Sequence, residues 1–485
     1  MTTTANLAQQ VAAALAAHPG KTGVLPLTQA QHAFVARLHL AEQAQQTLDL
    51  QYYLWRADRT GTFLFEAVHA AAERGVKVRI LLDDFNTAGL DALLISLARH
   101  PNIEVKLFNA LRIRWPRFIN YFLDFSRLNR RMHNKAWLVD GKVLISGGRN
   151  IGDEYFGATD ARLFADLDAL LLGPVVDATQ AAFDAYWESA SAVSVEHLLD
   201  QSKSLRLSML AKRAQGLREH PFTQDYLKAL TDDPFWQEFR TQQLDLHWTD
   251  AELVVDSPSK GHGVYEQQHL LAHQLQQSIG LPKSEFLIVS PYFVPTRSGF
   301  AELVKLARNG VAITLLTNSL EATDVAVVHA GYAKWRKRLL EAGVKIFELQ
   351  RLSPLARKQE KRARRKKLNA KERLGTFASS LHAKTFVVDG ARVFLGSFNF
   401  DPRSTQLNTE LGFVIDSQHF AKTIQNAFNE VVPNYAYQLD IANQRLIWRE
   451  RIGRQERIHL REPGASIWRR MASRVLSWLP IDWML

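Results

Sequence analysis

Two short segments of this 485-residue chain carry the same residue types at the same spacing. The first reads Met132-His133-Asn134-Lys135-Ala136-Trp137-Leu138-Val139-Asp140-Gly141. The second reads Leu381-His382-Ala383-Lys384-Thr385-Phe386-Val387-Val388-Asp389-Gly390. Each is a His-x-Lys-x4-Asp run. Asn150 follows His133 by 17 positions and Asn399 follows His382 by 17. One acid lies beyond each, Asp166 and Glu410, at the head of an apolar stretch. A single His-x-Lys arises readily by chance. Two copies with matching His, Lys, Asp, Gly and Asn offsets point to a shared origin and a shared task.

These residue types suit phosphoryl chemistry. A neutral imidazole attacks phosphorus if a carboxylate holds its other nitrogen protonated and fixes the ring. Asp166 and Glu410 are the expected orienters, and chain order assigns Asp166 to His133. Lys135, Lys384, Asn150 and Asn399 can donate to the non-bridging oxygens, where charge accumulates in the transition state. The second imidazole can protonate the leaving alkoxide and then deprotonate an incoming alcohol or water. This scheme needs no metal and no cofactor. Asp140 and Asp389 complete the expected catalytic set of each motif, although carboxylates in turns more often serve structure.

A strand places residues i and i+2 on one face, so each His-x-Lys must be strand-borne to aim both groups together. Asp140-Gly141 and Asp389-Gly390 read as hairpin turns that close those strands. Upstream, each half repeats one order of elements. The strand-like runs Leu48–Trp55 and Gly75–Asp84 are matched by Phe286–Val294 and Gly310–Asn318, with a helical stretch inside each pair. Alternating strands and helices indicate α/β units with sheets covered on both faces. The chain is thus expected to be a duplicated α/β protein. Its parts are a helical segment over 1–24, domains over 25–200 and 245–435, a connector over 201–244, and a tail over 436–485 with an amphipathic helix.

Composition agrees with two folded domains: 46% of residues are hydrophobic and 22% charged, both ordinary globular values. The absence of cysteine excludes disulfides, zinc–thiolate sites and a thiol nucleophile. A net charge of +11 favours polyanionic partners without choosing among them. The first residues lack the basic region of a secretory signal, so export is not expected. An uninterrupted apolar run of 18 residues is also missing, so the chain is expected to be soluble or to lie on a membrane surface.

With these motifs the chain resembles the phospholipase D superfamily, and within it the bacterial cardiolipin synthase branch, type C-like. The likeness runs over about residues 25–435. It is carried by Arg131–Lys135, Gly147–Phe156, Ser290–Pro295, Thr317–Leu320 and Gly396–Ser404. It implies two fused α-β-α layers about a pseudo-twofold axis, with one active site at their interface formed by a single chain. It implies that His133 becomes a phosphohistidine while His382 acts as acid and then base. Ser397 and Asn399 are implied phosphate contacts; Gly148 stands where Ser397 would have its counterpart, leaving Asn150 alone on that side. The implied reaction moves a phosphatidyl group from a second phospholipid, such as phosphatidylethanolamine, onto phosphatidylglycerol. The same superfamily also includes hydrolytic phospholipases and nucleases, so a hydrolase of phospholipid or nucleic-acid diesters is one alternative, and an inactive lipid-binding relative another.

Three segments bear on the choice between lipid and nucleic acid, and lipid is favoured. Leu111 to Arg131 interleaves arginines with Trp115, Phe118, Tyr121, Phe122 and Phe125, and can dip into headgroups or stack on bases. Arg357 to Arg373 is almost wholly basic, and suits a polyanion or a solvated loop. In Ile467–Leu485, Trp468, Met471, Val475, Trp478 and Leu479 share one helical face opposite arginines. That pattern fits an interfacial membrane helix, or a helix docked on the body through the same stripe. His329 and Tyr332, one turn apart, either face substrate or sit half-buried. Attachment to anionic lipid at the cytoplasmic face of a bacterial inner membrane is the expected setting.

Overall fold

A computed structural model describes residues 7–159, 162–204, 206–241, 244–352 and 378–478. The basic run 357–373 and the residues after 478 lie outside these. Along the first half run β1 (Thr22–Leu27), β2 (Thr47–Tyr52), β3 (Lys77–Asp83), β4 (Ile103–Phe108) and the hairpin β5 (Ala136–Val139)–β6 (Val143–Gly147). Then come β7 (Arg162–Ala165), β8 (Asp168–Leu172), β9 (Ala192–Ser194) and β10 (His247–Val255). The second half supplies β11 (Glu285–Val289), β12 (Ala312–Asn318), β13 (Lys345–Leu349), β14 (Ala378–Leu381) and the hairpin β15 (Thr385–Val388)–β16 (Arg392–Gly396). It ends with β17 (Leu411–Asp416), β18 (Ala436–Ala442), β19 (Arg445–Ile452) and β20 (Gln455–His459).

The chain divides into two compact units. The first takes Met1–Ala158, Leu167–Gln274 and Leu407–Phe413; the second takes Thr159–Asp166, Leu275–Gln406 and Val414–Leu485. In the first unit the strands lie in the order β10-β1-β8-β6-β5-β2-β3-β4-β9. In the second the order is β16-β15-β11-β12-β13-β18-β19-β20. The duplication is plain in this topology. Three parallel strands (β2-β3-β4, β11-β12-β13) carry an antiparallel His-x-Lys hairpin on one side and an antiparallel strand on the other.

The parallel strands are buried on both faces and therefore read as nearly continuous apolar runs. Leu48, Leu50, Ile80 and Leu107 are fully buried in one sheet, Ile288, Leu315 and Ile346 in the other. The helix after each first strand is capped alike. Asp58 accepts from the Gly61 N–H at 3.1 Å, and Thr296 from the Gly299 N–H at 3.1 Å. Gly61 is obligatory, since a Cβ there would lie 1.8 Å from the Arg56 carbonyl oxygen.

The unit limits differ from those the sequence suggests. β10 pairs with β1, Thr22 opposite Thr249, so the boundary expected at 245 falls inside the first unit. The expected connector packs there too, through helices Ser208–Arg218 and Pro221–Asp232; the Tyr226 hydroxyl donates to the Phe156 carbonyl at 2.7 Å. Residues 436–459, expected in a tail, form the second sheet's outer strands β18–β20.

Candidate active site

Each histidine stands just before a hairpin strand, at its buried end. In the first unit the stretch preceding β5 is tied to residues far along the chain. His133 N–H donates to the Thr409 carbonyl at 2.9 Å, and Thr409 N–H to that of Arg131 at 2.9 Å. Glu410 is thereby brought to the imidazole, with His133 Nδ1 and Glu410 Oε2 2.8 Å apart. In the second unit β14 runs parallel to β7, Leu381 beside Ala165, and His382 N–H donates to the Ala165 carbonyl at 2.8 Å. Asp166 Oδ2 then lies 2.6 Å from His382 Nδ1. The pairing expected from chain order is thus reversed: Glu410 serves His133 and Asp166 serves His382. The cause is an exchange of segments, since 159–166 belongs to the second unit and 407–413 to the first.

Both acids are buried, as are both rings, each 8% exposed. A carboxylate acceptor fixes the proton on Nδ1 and leaves the lone pair on Nε2, the state required of a nucleophile or base. An aromatic ring bounds each imidazole, Tyr53 at 5.1 Å from His133 and Phe164 at 5.0 Å from His382, centroid to centroid.

Lys135 and Lys384 are both 1% exposed, and each ammonium donates to the carbonyl oxygen of its own histidine. Lys384 Nζ also lies 3.0 Å from His382 Nδ1. An ammonium only donates, so Nδ1 cannot accept from it while donating to Asp166. The shorter, charge-assisted contact to the carboxylate decides the tautomer. Two buried ammonium groups make these pockets receptive to anions.

Asn150, Ser397 and Asn399 follow β6 and β16 and are buried. The Asn150 amide NH2 donates to the Tyr155 hydroxyl at 3.1 Å, while its Oδ1 and that of Asn399 have no hydrogen-bond partner. A half-turn of the Asn150 amide would let its oxygen accept from Tyr155 and free its NH2 for a phosphate oxygen.

Asp140 and Asp389 do not join the histidines. Each stands seven positions along strand and turn from its histidine, on the order of 20 Å. Both have φ of 52° and are followed by glycines at 60° and 59°, as a type I′ turn requires. Asp140 accepts the backbone N–H groups of Gln45, Gln46 and Thr47; Asp389 accepts those of Lys283, Ser284 and Glu285. They are therefore corrected from catalytic to structural: each pins a hairpin to the start of its neighbouring parallel strand. Burial tends to raise the Asp389 carboxyl, but the three amide donors hold it below its ordinary value.

Groups that no sequence motif marks hold the histidine segments in place. Asp83, at the end of β3, accepts the Met132 N–H at 2.8 Å; burial raises its carboxyl to about 6 against the pull of Arg131. At the matching end of β12, Asn318 accepts the Leu381 N–H at 2.8 Å and donates to its carbonyl at 3.0 Å. Behind Glu410 sits Asp256, which accepts the Glu410 N–H at 3.0 Å and pairs with buried Lys260 at 2.8 Å. Polar residues ending otherwise apolar strands were the available signal. His329 and Tyr332 are buried, and His329 turns to the Asn318 carbonyl at 3.3 Å and to Glu462 at 3.5 Å.

The lipid-facing candidates separate by chemistry. In the segment 111–131, Arg114 and Arg117 are ion-paired with Asp84 and Asp91, and Arg131 with Asp83. The aromatics point outward instead: Trp115 is 87% exposed and Phe122 84%. This segment is thus less a basic patch than an apolar protrusion. The helix Ile467–Trp478 also shows its apolar side to solvent, with Ile467, Trp468, Met471 and Val475 all exposed. Its opposite side docks: Ser473 is buried and Arg469 donates to the Thr323 carbonyl at 2.8 Å. Docking through the apolar stripe is thereby excluded for these residues. Among the described residues no helix is long and apolar enough to cross a membrane.

Comparison with known proteins gives one answer. The family model described as "Cardiolipin synthase, PLD-like domain" matches residues 38–187 and 275–432. Cardiolipin synthase C of Escherichia coli (strain K12) is 45% identical over 480 residues, covering 99% of both chains. Cardiolipin synthase B of Shigella flexneri is 24% identical, covering 82% of this chain and 77% of that one. Among solved structures, phosphatidylserine synthase of Haemophilus influenzae Rd KW20 superposes with a TM-score of 0.58 at 12% identity. It covers 89% of this chain and 92% of that one, and shares its fold.

Proposed function

The chain belongs to the cardiolipin synthase, PLD-like domain family, and from that premise we propose that it makes cardiolipin from phosphatidylglycerol and a second phospholipid through a phosphohistidine. The observation that carries the mechanism is the carboxylate on Nδ1 of each catalytic imidazole, 2.8 Å for His133 and 2.6 Å for His382. In the first step His133 Nε2 attacks the donor's phosphorus. The P–N bond forms, the P–O bond to the headgroup alcohol breaks, and protonated His382 gives its proton to that alcohol. In the second, His382 takes the proton from a phosphatidylglycerol hydroxyl. The hydroxyl oxygen bonds to phosphorus and the P–N bond breaks. Lys135, Lys384, Asn150, Ser397 and Asn399 hold the phosphoryl oxygens, and the buried ammonium groups offset their charge.

The enzyme works as a peripheral protein on anionic lipid, at the cytoplasmic face of a bacterial inner membrane. Support comes from the two exposed apolar surfaces, Trp115–Phe122 and the helix Ile467–Trp478 with its flanking arginines. The test is incubation of the full chain with vesicles of labelled phosphatidylglycerol, with and without phosphatidylethanolamine. Cardiolipin that disappears in His133→Ala is the expected result. Phosphatidic acid as sole product, or cleavage of DNA with lipids untouched, overturns the reading.

A further inference from the structure

A cavity of ≈700 Å³ opens in the second unit between the helix Ala326–Glu341, β19 and the helix Ile467–Trp478. Six cationic side chains line it: Lys334, Arg336, Arg445, Arg461, Arg470 and Arg474. One carboxylate lies among them, Glu462, and it is already engaged. Arg336 Nη2 donates to it at 2.5 Å and His329 Nε2 lies 3.5 Å away. Opposing burial, these two partners hold Glu462 ionised down to about 2. Arg336 spends its other arm on Glu348 at 3.1 Å, and Arg470 donates to the Glu462 carbonyl at 3.3 Å. Arg445, Arg461 and Arg474 are exposed and have no carboxylate partner among the described residues. Like charges gathered around one concavity repel one another unless an anion lies between them.

The remaining lining is apolar. Trp448 is buried in it, whereas Ile467 and Met471 are 58% and 54% exposed and continue into the solvent-facing stripe with Trp468. A cationic bowl joined to an apolar lip matches a ligand with an anionic head and hydrocarbon chains. A free phosphate would use only half of it. The bowl is also wired to the site of chemistry. Glu462 touches His329, His329 touches the Asn318 carbonyl, and the Asn318 amide clamps Leu381, the residue before His382.

We propose that this cavity binds the phosphodiester headgroup of an anionic phospholipid as a second lipid site, distinct from the histidine site, with its chains along Ile467, Trp468 and Met471. The proposal rests on the bilayer-facing reading of the helix Ile467–Trp478. Lipid held there is a sensor of anionic surface, and its contacts reach the segment that carries His382.

The test uses the full chain bearing His133→Ala, so that nothing turns over, titrated calorimetrically with monomeric dihexanoyl phosphatidylglycerol. Two binding events are expected. Arg445→Ala/Arg461→Ala/Arg474→Ala in that background should weaken one on the order of a hundredfold and leave the other. Inorganic phosphate and dihexanoyl phosphatidylcholine should not displace the lipid from the affected site. A single event that the triple variant leaves unchanged overturns the proposal. So does inorganic phosphate binding as tightly as the lipid, which would make a free anion the ligand. Arg445→Glu alone, at the exposed rim, gives the same readout if the triple variant folds poorly. Failure of the functional reading shows separately, as absence of cardiolipin with the unmutated chain.

Discussion

His133 Nδ1 lies 2.8 Å from Glu410 Oε2, although 277 positions separate the two residues in the chain. The second histidine has a matching relation with Asp166, 216 positions earlier. Each histidine site is therefore incomplete in its own stretch of sequence and takes its carboxylate from a distant short segment. Duplication followed by exchange makes neither half self-sufficient.

Removing the charge of either orienter should cost rate rather than affinity. Glu410→Gln and Asp166→Asn each keep the side-chain shape but let an amide present its NH2 to Nδ1, which selects the wrong tautomer. A fall in kcat of about 10³-fold with little change in KM is expected for each. Steady-state kinetics on mixed vesicles decides the point. A loss confined to KM would mean that the acids only shape the lipid pocket.

How much of this was legible beforehand follows from the range of each interaction. The His-x-Lys strands and the Asp-Gly turns are local, with period two and a positive-φ pair, so sequence was sufficient for them. The pairing of Glu410 with His133 was not, because chain order favours the nearer acid and nothing local announces an exchanged segment. The arginines of 111–131 looked like a free basic patch because their acids, Asp84 and Asp91, stand 23 to 33 positions away. The apolar stripe of the helix Ile467–Trp478 was visible, but its direction depends on which side the body accepts, and Ser473 and Arg469 take that side.

Asp389→Ala tests the structural role of the signature aspartates. Three backbone N–H groups lose their acceptor, at a cost of about 1–2 kcal/mol at neutral pH. Because its folded-state value is depressed, the carboxylate contributes fully above its ordinary 3.8, and the contribution fades as pH falls below that. Denaturant midpoints of wild type and variant should differ at pH 7, and the difference should shrink as pH falls below 3.8. The residual folded enzyme should keep wild-type kcat per folded molecule, which a catalytic aspartate would not allow.

The protrusion at Trp115, Phe118 and Phe122 should bind bilayers through burial, not charge. Its neighbours Arg114 and Arg117 are neutralised by Asp84 and Asp91, so raising salt has little to screen at this point. Trp115→Ala/Phe118→Ala/Phe122→Ala should weaken sedimentation with vesicles at least about tenfold, at low and at high ionic strength alike. By contrast, Arg470→Ala/Arg474→Ala should matter at low salt and little at high salt. If both variants respond to salt in the same way, the division between an apolar and an electrostatic contact is wrong.

Glu462 links the cavity wall to the support of His382, and its protonation gives that link a pH signature. Burial works against its charge, but the His329 contact and the Arg336 guanidinium bring it down to about 2 from the ordinary 4.5. A depressed acid stabilises the fold above its unfolded value and loses that contribution as pH falls toward the folded one. Glu462→Gln should therefore lower stability by about 2–3 kcal/mol at pH 7, less at pH 4, and hardly at all near pH 2. Arg336 keeps its contact with Glu348 at 3.1 Å in that variant, so the loss should stay local and not collapse the sheet. Hydrogen exchange gives the decisive reading. Faster exchange at Leu381 and His382, with β2 and β3 of the first unit unchanged, is expected if the His329–Asn318 contacts transmit the loss. Uniform acceleration across both units would show that Glu462 acts only on global stability.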